Sequence, residues 1–189
     1  GDPARMVYFD VSDASSGYTS LLPSDLDGST LPPAGTPNYF SNWQNAALPP
    51  DDGMNIWEFH VDWANTANST FGLSNFPNET VASMDVDGSM GSIPQPGGFP
   101  LASLAPRLMF RLAYRYQNGD EILVASHTVD ENGANHAGVH WMEMRKTGGP
   151  WSMYQEGVYA PDSEHRWMSS AAMDGQGNIG VGYSVSSQT

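Results

Sequence analysis

Arg107-Leu-Met-Phe-Arg-Leu-Ala-Tyr-Arg-Tyr116, turned by Asn118-Gly119-Asp120, runs straight into Glu121-Ile-Leu-Val-Ala-Ser-His-Thr-Val-Asp130. Two runs rich in aromatic and β-branched residues on either side of a Gly turn predict a β-hairpin. A second copy follows in Arg166-Trp-Met-Ser-Ser-Ala-Ala-Met-Asp174, Gly175-Gln-Gly-Asn178 and Ile179-Gly-Val-Gly-Tyr-Ser-Val185. A hairpin that recurs within one chain predicts an array of antiparallel β units. Helix is the rival over 107–116, since Arg107, Arg111 and Arg115 recur every four residues. Pro106, the Gly119 turn and the Gly-rich copy favour strand.

Working outward, four consecutive strands are expected at 107–116, 121–130, 138–146 and 151–159. They make 107–159 the best-defined leaf and 166–187 the start of the next. Ala4 to Val11 reads as a strand. Residues 12–37 and 85–106 are Gly-, Pro- and Ser-rich and read as long loops, the first anchored by Leu21, Leu22 and Leu26. Asn38 to Trp43 and Met54 to Trp63 form an expected hairpin across 49–53, and Thr80 to Met84 a shorter strand. The fold class is all-β, antiparallel and β-propeller-like. About two to three leaves fall within 1–189, read as a single domain or the C-terminal fragment of one.

Composition narrows the function. With 21 acidic against 7 basic residues, the net charge is −14, and Lys146 is the lone lysine. Such a surface repels phosphate backbones and anionic head groups, so nucleic acid and membrane insertion are not expected. Cysteine is absent, which removes thiolate nucleophiles, disulfides and Cys-type zinc sites. No apolar run approaches the length of a membrane span, and no leader pattern opens the chain. Starting at Gly1-Asp2-Pro3, it is expected to be a processed or partial polypeptide.

Several constellations could carry chemistry. On a strand through 54–63, Glu58, His60 and Asp62 share one face about 6.6 Å apart, and such pairs can grip a metal ion. The alternative is a solvated polar face opposite the aromatic face of Trp57, Phe59, Val61 and Trp63. Asp25-Leu-Asp27-Gly-Ser29 and Asp85-Val-Asp87-Gly-Ser89 share the pattern Asp-x-Asp-Gly-Ser, which could present oxygens to Ca²⁺ or simply make Asp-Gly turns. Neither has the twelfth-position Glu of an EF-hand: Thr36 and Pro96 stand there. His127, His136 and His140 lie close in sequence with no Glu after His136, so a metalloprotease motif fails. Arg107, Arg111 and Arg115 could clamp a carboxylate, or pair with the abundant acids. Hydrolase elbows, phosphate loops and dinucleotide fingerprints are absent.

The chain resembles a set of secreted bacterial proteins of β-propeller-like architecture with no established activity. The resemblance rests on Leu22 to Ser29, Pro37 to Phe40, Ile56 to Trp63, Asn68 to Phe71, Arg107 to Asp130, Tyr154 to Asp162 and Arg166 to Ser186. It implies an extracellular or periplasmic setting and further repeats, and many relatives carry a cysteine pair near 84–93 that this chain lacks. The expected function is a secreted structural or binding module, Ca²⁺-stabilised and completed by another chain or by a missing N-terminal half. The alternatives are a propeller hydrolase acting on extracellular glycans and a metal-dependent enzyme using Glu58, His60 and Asp62.

Overall fold

The structure, a computed structural model, describes residues 4–15, 17–44, 52–105 and 107–188. It is all-β: besides the 3₁₀ turns Val11–Asp13 and Thr66–Asn68, the described residues contain no helix. The strands are β1 (Leu22–Leu26), β2 (Asn38–Gln44), β3 (Gly53–His60), β4 (Thr70–Phe71), β5 (Glu79–Ala82), β6 (Ser92–Ile93), β7 (Leu101–Ala102), β8 (Leu112–Gln117), β9 (Asp120–Asp130), β10 (Ala137–Lys146), β11 (Ser152–Tyr159), β12 (His165–Met173) and β13 (Ile179–Ser186).

Local chemistry sets the two repeated hairpins. Asn118 and Gly119 both take positive φ, 55° and 93°, which matches a primed turn whose twist suits the flanking strands. Between β12 and β13, the Asp174 carboxylate accepts hydrogen bonds from the Gln176 and Asn178 amides at 2.8 and 2.9 Å. Strands β8 to β11 pair antiparallel in sequence order, and the strand expected from Arg107 starts instead at Leu112.

A second antiparallel meander precedes it, with β1 on β2, β2 on β3 and β5 on the first half of β3. The far half of β3 takes β4 instead. The two meanders are joined into one sheet by β1 and β8, which run parallel. The purely antiparallel expectation is therefore corrected at this seam. β1 hands over between partners: Leu22 and Pro23 face β2, and Ser24 to Leu26 face β8. A proline is tolerated where the chain is leaving one ladder for another, because its missing N–H breaks no continuous run of bonds.

The sheet curls at this seam, so that the two leaves face each other across the main core. Tyr39, Trp43, Met54, Ile56 and Val81 of the first leaf pack with Leu112, Tyr114, Leu123, Ala125, Met142 and Met144 of the second. The Tyr39 ring meets Trp151 edge-on at 5.0 Å. On its other face the second leaf packs Ala113, Ile122 and Val124 against Ala171 and Met173 of the β12–β13 hairpin. A smaller core of Met90, Ile93, Ala137 and Trp167 ties the 85–106 region down.

The regions expected as loops contain β1 in 12–37 and the short β6–β7 pair in 85–106. No strand forms over the described part of 4–11. Phe9 instead lies on Phe71 at 5.8 Å, and Tyr18 meets Trp57 edge-on at 5.1 Å, covering the outer face of the first leaf. The turn expected across 49–53 falls largely outside the described residues.

Candidate functional site

Glu58, His60, Asp62, Asp25, Asp27 and Asp87 each find a partner within the chain. Glu58 lies 3.7 Å from His60 and 3.3 Å from Lys146, whose ammonium also reaches the Tyr39 hydroxyl at 3.3 Å. Asp62 does not join them. β3 ends at His60, and the Asp62 carboxylate turns into the following loop to accept from the Ala64 and Asn65 amides and from Asn68 Nδ2. These bonds, the Asn65 amide foremost, hold its carboxyl below the usual range. Asp25 and Asp27 converge on Arg111, the first at 3.2 Å from its Nε, so a cation of the chain's own sits between them. Asp87 accepts from the Ser89 hydroxyl and amide, which lower its pKa. With Asp85, Asp130 and Glu131 it lines a cleft of about 450 Å³. Asp130 is already engaged by the Asn135 and His136 amides at 2.7 and 3.0 Å. Among the described residues, no group of three or more His, Cys, Asp or Glu side chains is placed to hold a metal ion.

Two features escape the sequence. The first is a buried polar relay between the leaves. His127 and His140 are cross-strand neighbours on β9 and β10, both fully buried, with Nε2 of one 2.9 Å from Nδ1 of the other. His140 continues to Glu156 at 3.1 Å. Glu156 in turn accepts from the Ser83 hydroxyl and, at 2.9 Å, from the Met84 amide just beyond β5. Trp43 stacks on His127 at 4.4 Å between centroids. Burial, reinforced by His140, drives the His127 pKa well below its ordinary value. Burial pushes Glu156 up, but the bonds from His140, Ser83 and Met84 outweigh it and hold the carboxyl low. The relay is thus a polar latch that fastens β11 of the second leaf to the end of the first.

The second feature lies on the opposite face of the second leaf. Trp141, Gln155 and Tyr159 from β10 and β11 and Ile179, Val181 and Tyr183 from β13 line a groove of about 480 Å³. Gly157 lies beside the indole, where a Cβ would stand 3.4 Å from Nε1, so the ring flank stays open. The walls are held firmly. Arg166 sits 5.7 Å from the rings of both Tyr159 and Tyr183 and binds Asp162 through two bonds of 2.7 and 2.9 Å. That pairing lowers the Asp162 pKa to about 2. Gln155 donates at 2.6 Å to Glu143, which is buried and also paired with Arg145. β13 pairs with β12 on one side, and among the described residues no strand pairs with its other edge.

Comparison with protein-family models, curated proteins and solved structures found no match. No helix among the described residues is long and apolar enough to cross a membrane.

Proposed function

We propose that this chain is a secreted, non-enzymatic structural and binding module of β-propeller-like architecture, which works by association with another chain. One observation carries the reading: the faces of the second leaf are unequally covered. On one face it packs against a group of five strands, β1 to β5; on the other it packs against the two strands β12 and β13. The face-to-face packing of the two leaves across the main core supports a propeller-like arrangement, whereas the hydrogen-bonded seam of β1 with β8 departs from separate blades by making them one curled sheet. An unpaired strand edge next to an open aromatic groove is a template for another chain.

The test is native mass spectrometry of the protein purified from its source, with extracellular fractions assayed separately. A stoichiometric partner chain in the extracellular or periplasmic fraction is expected. A protein that stays a lone monomer and cleaves extracellular glycans would replace this reading with the hydrolase one.

A further inference from the structure

The groove and the β13 edge are one continuous surface, and we infer that it receives a single extended β-strand from a partner polypeptide, uncharged along its centre and flanked by cationic residues. The inference rests on the association proposed above and specifies what associates.

The geometry favours a strand over a compact ligand. The groove runs alongside β13, and its walls on β10–β11 belong to the same face that β12 and β13 cover further along. A strand paired to the bare edge of β13 extends that cover by one step, about 4.8 Å, and places alternate side chains over Trp141, Gln155 and Tyr159. The exposed ring of Tyr159, 45% accessible, belongs to the same surface.

Charge selects the occupant. None of the six residues lining the groove is charged, so a charged group at the centre of the strand would lose water without a partner. The chain as a whole carries −14, which attracts cationic flanks and repels acidic ones. The same charge disfavours a second copy of this chain.

The test uses the full chain and a displayed library of randomised peptides about eight residues long, within the usual range of strand lengths. Enriched peptides are expected to alternate apolar residues, carry Lys or Arg at the ends and slow amide exchange in β13. N-methylation of alternate backbone amides in the best peptide is expected to weaken binding at least tenfold, as is Gly157→Leu, which fills the groove. Enrichment of acidic peptides, protection outside β13, absence of enrichment, or dimerisation of the chain through β13 would each overturn the inference. If a partner co-purifies but leaves β13 amides unprotected, the association stands and this assignment of its site fails.

Discussion

Acid should loosen the interface between the two leaves at a pH set by His127. The imidazole is fully buried, with His140 on one side and Trp43 on its face, so its folded pKa lies well below the ordinary 6.5. The unfolded chain binds a proton there as pH falls through 6.5, whereas the folded chain does not. Stability is therefore full above that value and declines below it, toward the depressed folded pKa. One proton taken up only by the unfolded state costs about 1.4 kcal/mol on going from pH 7.5 to 5.5. For a chain of this size that lowers the melting temperature by about 3–6 °C. Scanning calorimetry or denaturant titration at four or five pH values reads this slope directly. His127→Gln removes the titrating group; it lowers the stability at pH 7.5 through the lost bond to His140, but flattens the slope between 7.5 and 5.5. An equally steep slope in His127→Gln and the parent chain would refute the assignment.

Glu156→Ala leaves the Ser83 hydroxyl, the Met84 amide and His140 without their acceptor; a loss of about 3–5 kcal/mol is expected in urea unfolding, with faster amide exchange at Met84. Because the Glu156 carboxyl is held below its ordinary value of 4.5, its contribution is complete above that pH and fades as pH drops through the lower folded value, so the cost of this variant should shrink in acid. Gly53→Ala forces a Cβ onto the Val81 carbonyl and should detach β5 from β3, seen as loss of amide protection over 79–82 and a destabilisation of about 1–3 kcal/mol. Asp62→Ala removes the acceptor for the Ala64 and Asn65 amides and should cost about 1 kcal/mol, raising exchange at those amides while leaving the Glu58–Lys146 contact intact.

The strands from Leu112 onward were legible because each signal there is local: an Asn-Gly turn, an Asp-closed turn, and alternation with period two. β1 was not, because Pro23 and the acids around it read as a turn, and only a distant β8 makes Ser24 to Leu26 a strand. The faces assigned to Trp57 and Glu58 follow directly from alternation. Asp62 lay beyond its reach, since the strand stops at His60 and alternation says nothing about where a ladder ends. His127 and His140 lie close in sequence, inside the strands expected at 121–130 and 138–146, with nothing local to say that they meet. What unites them is register: the β9–β10 pairing sets them directly opposite each other, and the curl of the sheet buries that position. The groove beside Trp141 is invisible for a related reason, as one wall is the β10–β11 pair and the other is β13, which shares no ladder with it.

The parallel contact of β1 with β8 also dictates an order of assembly. Hairpins β8–β9, β9–β10 and β12–β13 close short loops and can form as soon as their residues meet. β1 must wait for a strand that lies beyond all of β2 to β7, so the join between the two halves is made late and at a high entropic cost. A chain arrested before that step would leave β1 and β8 as two unpaired edges, with Leu26 away from its register partner Tyr114, which makes this join the point where misassembly is most readily captured by a chaperone or by a neighbouring molecule.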